Sequence, residues 1–446
     1  MAVSDQNPSV SGRRLGWSVV MSAAIKVGSA GLTFVMFVVL ARVLEPDAYG
    51  RFAAMFSLGS FLGFVVLLGQ HTRVIKRLSA WIEERALGLV RGLVLQSVVL
   101  VLVASCAGGL CLWGASAALD AMGHPDTALM VLGALPLMLP FALSELCAAM
   151  FRAQGSITLA LLPRDIVWRV LVIALSISIG GQLPVLSGYD ALATMWIISA
   201  ILGAVIVAQA MLLAHKLPTG TWSAHRSDLP RSFWADSAWL WTASLVNIMA
   251  SHLSVVFTSI NLSDAETGAF FAAGKIALLL QLPLVAVALV AGPMLAKAYA
   301  KSDIAGMQRT CRAMTPFLAG ASILGLVIVC VVPRQLLSLF DPSFVLAVPA
   351  LIVLAATQLV AALSGLGSLL MIMSDNERAQ TFIAGASEIF GFILIFALTP
   401  VLGLLGAAIA ALIGRSLGKM IAAIFCFRRL GVDTTVFCLL RRTDTS

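Results

Sequence analysis

Residues 92–118 read GLVLQSVVLVLVASCAGGLCLWGASAA, a stretch of 27 residues without one acidic or basic side chain. An α-helix rises about 1.5 Å per residue, so about 20 apolar residues cross the hydrocarbon layer of a bilayer. This stretch therefore predicts a membrane-spanning helix. Twelve apolar stretches of this kind follow one another along the chain, near residues 17–41, 50–69, 92–118, 127–151, 166–187, 191–214, 236–261, 268–295, 313–333, 344–373, 380–399 and 402–426.

The composition agrees with a chain that lies mostly in lipid. Hydrophobic types make up 60% of the 446 residues and charged types 11%, and the mean hydropathy is +1.01. Soluble domains carry about 25% charged residues, so a soluble globule, a disordered chain and a coiled coil are excluded. The apolar residues form long blocks instead of alternating, which excludes a β-barrel. We predict an all-α polytopic membrane protein with about 12 transmembrane helices.

The basic residues are distributed unevenly between the connections. Of the 29 Lys and Arg residues, 24 lie in the N-terminal segment and in every second connection after it. The other connections hold Arg42, Arg51 and Arg334, and two lysines lie inside the blocks. Basic loops favour the cytoplasmic side, so we predict an inner-membrane protein with both termini in the cytoplasm. The net charge of +8 is spread over these loops instead of forming one basic patch, which argues against nucleic-acid binding.

Two short motifs indicate an internal duplication. Gly50-x-Phe52 and Gly268-x-Phe270 each follow acidic turn residues and lie 218 positions apart. The same offset carries span one onto span seven, which predicts two six-helix lobes related by a pseudo-twofold axis along the membrane normal; chance similarity of one short turn is the alternative. The predicted segments are a cytoplasmic N-terminal tail (1–16), an N-lobe (17–214), a cytoplasmic linker (215–235), a C-lobe (236–427) and a cytoplasmic tail (428–446).

Two lysines lie inside predicted spans. Lys26 is in the first half of span one, and Lys275 is about one-third of the way into span eight. A cation at a helix centre costs about 2.5–3.5 kcal/mol on insertion scales. Either each lysine pairs with a buried carboxylate, for which Glu145 in span four and Glu388 in span eleven are available, or both lysines line a hydrated central cavity and attract an anion.

Further polar residues are candidates for the same cavity. Arg51, at the outer end of span two, can extend its basic surface, and Arg42 can do so or act as an interfacial anchor. Asn247 and His252 lie on a polar face of span seven, and Gln281 lies in span eight, where Pro283 implies a bend. We take Arg42, Asn247, His252 and Gln281 as cavity-lining candidates.

The two buried glutamates are candidates for coupling to an ion. Glu145 follows Pro136 and Pro140, which interrupt helical hydrogen bonding and leave carbonyl groups free. A carboxylate in such a place can carry a proton or a cation, or it can form a structural hydrogen bond to a neighbouring span. Glu388 has the same two interpretations.

Sites for catalysis, metals or cofactors are not recognisable in the sequence. Residues 268–276 look like a phosphate loop, but the glycine spacing is one residue too long and Ile276 replaces the Ser or Thr that holds magnesium. His252 lacks a second histidine four positions away, and the seven cysteines form no paired motif. We therefore expect a transporter without a cofactor, a metal or catalytic residues.

Four motifs carry a resemblance to a known family. They are ARVLEPDAYGRF at 41–52, LLSLFDPSF at 336–344, GLLGAAIA at 403–410 and RRLG at 428–431. In this order and spacing they resemble the polysaccharide-unit (O-antigen and exopolysaccharide) flippases of the multidrug/oligosaccharidyl-lipid/polysaccharide exporter superfamily. The resemblance runs from about residue 12 to about residue 432.

The resemblance implies a V-shaped pair of six-helix lobes that alternates between inward-open and outward-open states. It implies a substrate in which an oligosaccharide is joined to undecaprenyl or a similar polyprenyl pyrophosphate. Lys26, Arg51 and Lys275 occupy places similar to cavity cations of some relatives, which implies that they bind the pyrophosphate. The implied partners are this substrate, membrane lipid and the machinery that polymerises and exports polysaccharide.

Three functions compete at this stage. The first is flipping of lipid-linked oligosaccharides, because a polar glycan cannot cross hydrocarbon unaided and a wet basic cavity replaces its lost hydrogen bonds. The second is a cation-coupled multidrug exporter on the same scaffold, which a cavity of negative character would favour. The third is a membrane glycan polymerase or ligase, which usually needs a large external loop; the outward loops here are short.

Overall fold

The computed structural model describes residues 27–180, 190–225 and 232–439, and this part of the chain is helical without a β-strand. We number the helices α1 (Val27–Val43), α2 (Pro46–Val66), α3 (Gln70–Glu83), α4 (Leu87–Ala121), α5 (Pro125–Gly133), α6 (Leu135–Ala153), α7 (Ile157–Leu162), α8 (Trp168–Gly180), α9 (Ala191–Lys216), α10 (Ser232–Ser259), α11 (Asp264–Leu279), α12 (Leu282–Ala300), α13 (Ile304–Val331), α14 (Pro333–Ser338), α15 (Val348–Leu363), α16 (Gly367–Met373) and α17 (Glu377–Phe425). Short turns of other helix types connect or follow them at Pro163–Val167, Pro342–Ala347, Cys426–Leu430 and Val436–Leu439.

The helices account for the predicted spans. Among the described residues, nine helical segments are long and apolar enough to cross a membrane, and α1 is a shorter apolar helix at the edge of the described part. The α17 segment contains two spans that meet at Gly403, whose φ of 56° interrupts the helix. A further span runs through α7, the π-helical turn Pro163–Val167 and α8. The all-α, multi-pass fold class is confirmed.

Local signals explain where the two helices that meet at the lobe interface begin. Pro46 stands at the first turn of α2, where its missing N–H has no helical partner to lose. α11 begins with a capping box, in which the Ser263 side chain accepts from the Glu266 N–H and the Glu266 carboxylate accepts from the Ser263 N–H. Both helices therefore start in well-defined turns, and they pack against each other.

The structure also contains the repeat that the sequence predicts. The carboxylate of Asp47 accepts a hydrogen bond of 3.1 Å from the N–H of Ala265, and these two positions are 218 residues apart. Equivalent positions that contact each other lie close to the axis relating the two halves. Left-handed backbone also recurs at nearly this offset, since Arg85 has a φ of 55° and Ser302 a φ of 54°.

Proline explains the break in the eighth span. α11 ends at Leu279 and α12 begins at Leu282, with Gln281 between them and Pro283 in the first turn of α12. Proline cannot donate a backbone hydrogen bond and crowds the preceding turn, so the helix restarts there. The break places the Gln281 side chain at a point where two half-helices meet.

The helix α3 lies outside the spans, within the polar stretch between spans two and three. Its buried face carries Val74, Leu78 and Trp81, whereas Lys76 and Arg77 are exposed. We call the side to which α3 and the basic loops project the inner side, and the opposite side the outer side.

Residues 431–439 form a strap that folds back on the C-lobe. Gln308 on α13 donates to the carbonyl of Asp433 and accepts from its N–H, both at 2.8 Å. The Thr434 hydroxyl donates to the carbonyl of Ser364, beside Gly365 in the break between α15 and α16. Gly365 has a φ of 70°, and a Cβ there would overlap the carbonyl oxygen of Thr434. The strap thus requires glycine at this position.

We predict that Gly365→Ala lowers the free energy of unfolding by about 1–3 kcal/mol, because it combines left-handed backbone strain with a backbone clash. The midpoint of thermal unfolding of the purified protein in detergent measures this effect. Gly320→Ala on α13 is the matched control, since nothing lies within 4 Å of its Cβ position. Equal midpoints for both variants would contradict this account of the strap.

Candidate functional site

A cavity of about 370 Å³ lies between the two lobes. Its walls come from α1 and α8 of the N-lobe and from α11 and α12 of the C-lobe. The side chains that line it are Val27, Ser29, Ala30, Thr33, Phe34, Arg169, Lys275, Leu278, Leu279, Gln281, Leu282, Val285, Ala286 and Leu289. The cavity is therefore lined mostly by apolar side chains, and its polar side chains are those of Ser29, Thr33, Arg169, Lys275 and Gln281.

Lys275 is the first of two cations in the cavity. Its Nζ lies 4.4 Å from the ring centroid of Phe271 and 4.8 Å from that of Phe37. A cation over an aromatic face gains about 0.5–2 kcal/mol, depending on how far it is desolvated. No carboxylate in the described part of the chain forms an ion pair with Lys275. Its charge is therefore stabilised by the two rings and remains available to an anion.

Arg169 on α8 is the second cation, and its side chain is 13% exposed. Its guanidinium donates to the Ser29 hydroxyl at 2.5 Å and to the Asp165 carbonyl at 2.6 Å, and it pairs with the Asp165 carboxylate at 3.5 Å. Arg169 is one of the 24 basic residues assigned to the connections from the sequence, and that assignment does not predict its position in the cavity. The signal was present as an acidic residue four positions before a basic one, at the start of an apolar block.

The electrostatics of the cavity favour an anion. None of the described residues that line it is acidic, and the single carboxylate attached to Arg169 belongs to Asp165 behind the wall. Ser29 and Thr33 contribute hydroxyl groups to the cavity. The Gln281 amide N–H donates to the Gln358 side-chain oxygen at 2.9 Å, and the side-chain oxygen of Gln281 takes no part in that bond. The cavity can hold a phosphate-like group beside a polar, hydroxyl-bearing one.

The two predicted ion-coupling carboxylates are bound to arginines instead of lysines. Glu145 hydrogen-bonds to Arg164 and pairs with Arg152 at 3.6 Å. Glu388 pairs with Arg415 at 3.9 Å. Neither carboxylate contacts Lys275, so pairing with these glutamates does not explain the buried lysine.

The outer side of the interface is closed by contacts that we call the outer gate. Arg51 on α2 pairs with Asp264 at the start of α11, at 3.8 Å. Arg42 on α1 donates to the carbonyls of Leu339 and Ser338 of the C-lobe, at 2.7 and 2.5 Å. Arg42 and Arg51 thus lie at the outer gate and not among the residues that line the cavity.

Aromatic rings fill the gate beneath these polar contacts. Tyr49 lies 5.7 Å from Phe344 and 6.0 Å from Phe271 between ring centroids, and Phe34 lies 5.3 Å from Phe340. Phe34 also lines the cavity. This aromatic layer therefore separates the cavity from the outer side.

Backbone proximity explains why glycine is needed at the gate. A Cβ at Gly50 would overlap the carbonyl oxygen of Asp264, and a Cβ at Gly268 would lie 3.2 Å from the backbone nitrogen of Gly50. α2 and α11 approach closely because neither glycine has a side chain.

The other predicted site residues lie in different surroundings. Gln281 lines the cavity, as described above. Asn247 is exposed on α10 and does not line the cavity. His252 is half-buried, and its Nδ1 has no hydrogen-bond partner among the described residues. Lys26 lies outside the described residues.

Comparisons with known proteins find similarity in structure alone. No family model and no curated protein sequence matches the chain. Of 29 matching solved chains, an inward-facing multidrug resistance MATE family transporter of the MOP superfamily has a TM-score of 0.71 at 13% identity, covering 91% of this chain and 94% of that one. An outward-facing structure of such a transporter has a TM-score of 0.62 at 14% identity, covering 93% and 95%.

A third similar structure is a MOP superfamily transporter from Pyrococcus furiosus Vc1 (DSM3638), for which reverse polarity of the binding pocket suggests a different function. Its TM-score is 0.63 at 13% identity, and the match covers 93% of this chain and 95% of that one. At such identities the similarity is one of fold. The described part of the chain shares the helical fold of these MOP superfamily transporters, and the narrower resemblance to polysaccharide flippases stays a prediction.

We predict that Gly50→Ala opens the outer gate, because the added methyl group pushes α2 away from Asp264. A cysteine introduced in place of the buried Thr267, in a background where the three exposed cysteines Cys106, Cys111 and Cys330 are serine, then reacts faster with a membrane-impermeant maleimide from the outer side.

Gly274→Ala, on the same helix as Thr267, is the control, since its Cβ position has nothing within 4 Å. Unchanged labelling in the Gly50→Ala variant would show that the gate does not depend on the close backbone approach.

Proposed function

We propose that this protein is an alternating-access transporter whose inner cavity binds the anionic part of its substrate. The observation that carries the proposal is the cavity itself, in which Lys275 has no carboxylate partner among the described residues and Arg169 lies in the same wall. A cation held without a counter-charge is costly in a membrane protein. An anionic substrate that completes the site offsets this cost.

The gate geometry supports the alternating part of the proposal. The outer side is closed by one exposed ion pair, a few hydrogen bonds between side chains and backbone groups, and an aromatic layer, all of which join one lobe to the other. An exposed ion pair contributes about 0–1 kcal/mol, so these contacts can break without loss of the fold of either lobe. The similar structures include both inward-facing and outward-facing forms.

For the substrate, we propose an oligosaccharide linked to polyprenyl pyrophosphate. Lys275 and Arg169 would bind the pyrophosphate, and the hydroxyls of Ser29 and Thr33 with the Gln281 amide would bind sugar hydroxyls. Exposed apolar side chains, among them Val27, Leu278 and Val285, line the cavity where α1 approaches α12. A polyprenyl tail can remain in lipid along this seam while the polar head occupies the cavity.

Arg51 is proposed to take part in the alternating-access transport cycle. In the present conformation its guanidinium is held by Asp264 at the outer gate. Opening the gate separates this pair and frees Arg51 on the outer side. We propose that it then receives the pyrophosphate from Lys275, with Lys26 contributing from span one. The exported unit would pass on to the polysaccharide polymerisation machinery.

We predict that Lys275→Glu lowers pyrophosphate affinity and flipping by at least about tenfold, since a charge-assisted hydrogen bond contributes about 1.5–3 kcal/mol. Lys275→Arg keeps most of the activity because the positive charge is retained. Flipping is measured in proteoliposomes with a short-chain polyprenyl pyrophosphate that carries a fluorescent sugar.

Lys297→Gln is the matched control, because Lys297 is exposed on α12 and does not line the cavity. Wild-type flipping by a correctly inserted Lys275→Glu variant would refute the anion site.

A second candidate function is cation-coupled export of drugs, because multidrug resistance MATE transporters are among the similar folds. The two functions make opposite predictions for Lys275→Glu. Export of a cationic dye would rise or stay constant in this variant if the substrate is a cation, whereas export of the anionic lipid would fall. Dye efflux is measured in cells that express the wild-type protein and in cells that express Lys275→Glu, and the comparison separates the two candidate functions.

Ion coupling remains part of the proposal, with Glu388 favoured over Glu145. Glu145 is held by two arginines, whereas Glu388 has one ion pair at 3.9 Å. We predict that Glu388→Gln makes transport insensitive to an imposed proton or sodium gradient, because the variant cannot exchange a proton or bind a cation. Glu84→Gln, an exposed change beyond α3, is the control. Unaltered gradient dependence in Glu388→Gln would exclude this glutamate.

A further inference from the structure

A second contact between the lobes lies on the inner side, away from the cavity. His71 on α3 of the N-lobe lies 3.2 Å from the hydroxyl of Ser244 on α10 of the C-lobe, measured from Nε2. Nearby, the indole N–H of Trp241 donates to the carbonyl of Val65 at 3.0 Å. These contacts join the lobes at a point where one partner is titratable.

The hydrogen bonds of Ser244 and the surroundings of the ring indicate the state of the imidazole. The Ser244 hydroxyl donates its single proton to the Leu240 carbonyl at 2.8 Å. With the hydroxyl proton used in this way, the serine oxygen accepts from the Nε2–H of His71, a donor that both the neutral and the charged ring can supply. The other nitrogen, Nδ1, is buried without a hydrogen-bond partner among the described residues. The contact therefore fits a neutral histidine.

The elements packed around His71 present both signs of charge. α6 presents Glu145 and Arg152, α2 presents the Phe64 ring at 6.0 Å, and α10 presents the Ser244 hydroxyl. Burial lowers the pKa of His71 below its usual value, and Arg152 lowers it further, whereas Glu145 raises it. On balance the pKa is lowered, so the charged imidazole is disfavoured in this conformation.

A series of contacts leads from Glu145, whose charge acts on His71, to the cavity. Glu145 binds Arg164, and Arg164 also pairs with Asp165 at 3.3 Å. Asp165 in turn pairs with Arg169, which lines the cavity. The charge of one carboxylate in the series, Glu145, acts on His71, and the other carboxylate, Asp165, holds the cavity arginine.

We infer that His71 and Ser244 form a latch between the lobes that opens when His71 is protonated from the inner side, and that the Glu145–Arg164–Asp165 series transmits the change to Arg169. The latch is independent of the proposed function, whereas its effect on Arg169 rests on that function. His71 acts here as a positioning residue and does not touch the substrate.

Protonation would act through the unpartnered nitrogen. A second N–H at Nδ1 needs an acceptor, and the carboxylate that acts on His71 is that of Glu145. If Glu145 turns toward His71, its ion pair with Arg164 weakens and Arg164 pairs more closely with Asp165. The ion pair between Asp165 and Arg169 is then weakened in turn. The latched conformation is thus favoured above the ordinary histidine pKa of about 6.5 and loses favour as the pH falls through that value.

Spin-label distances in the full-length protein in nanodiscs test the latch. Labels are placed at Arg77 on α3 and Thr242 on α10, both exposed, with Cys106, Cys111 and Cys330 replaced by serine. We expect a short distance at about pH 8 and a growing longer population towards about pH 5.5. His71→Gln, which keeps a hydrogen-bond donor but cannot titrate, should keep the short distance throughout.

Two further variants make the result decisive. Ser244→Ala should show the longer population at every pH, because His71 loses its acceptor. His215→Gln is the control, an exposed histidine at the inner end of α9. A His71→Gln protein that responds to pH like the wild type would overturn the latch.

Binding of inorganic pyrophosphate tests the link to the cavity. We expect wild-type affinity to change by about fivefold or more between about pH 8 and about pH 5.5, beyond the change caused by ionisation of pyrophosphate itself, and His71→Gln to abolish this excess. If the latch responds to pH but the wild type and His71→Gln show the same pH dependence of pyrophosphate affinity, the link between the latch and the cavity is refuted and the latch itself is not. Absence of pyrophosphate binding at every pH would instead refute the proposed function and leave the distance measurement standing.

Discussion

The close approach of α2 and α11 is the contact on which the rest of the structure depends. Two glycines, Gly50 and Gly268, let the backbones of the two lobes meet near the axis that relates them. This approach brings Arg51 within reach of Asp264 and stacks the aromatic layer below. Because the outer side is closed, the space that remains between the lobes lies below that layer, where Lys275 faces it.

Much of the fold could be predicted because its signals are local. Span positions follow from runs of apolar residues, and the repeat follows from two short motifs. The surroundings of Lys275 could not be predicted, because they depend on which helices meet. The glutamates proposed as its partners are paired instead with Arg152 and Arg415 of their own helical segments and with Arg164 of the turn before α8.

The positions of Arg169 and of the strap also could not be predicted from the sequence. A count of loop charges places Arg169 outside the membrane, but the π-helical turn before α8 brings it to the cavity wall. Residues 431–439 belong to the segment predicted as a cytoplasmic tail, and nothing in their sequence reports that Gln308 and Gly365 form a surface to which they bind. Both outcomes depend on contacts between distant parts of the chain, which periodicity and composition do not report.

The contacts between α2 and α11 depend on a difference between the two halves of the chain. Asp47 and Ala265 are equivalent positions, and Asp264 is equivalent to Pro46 at the same offset. If both halves carried the N-terminal sequence, Arg51 would face a proline in place of Asp264, and the ion pair would be lost. The two halves thus supply an acid on one lobe opposite a base on the other, which identical halves would not do at this pair.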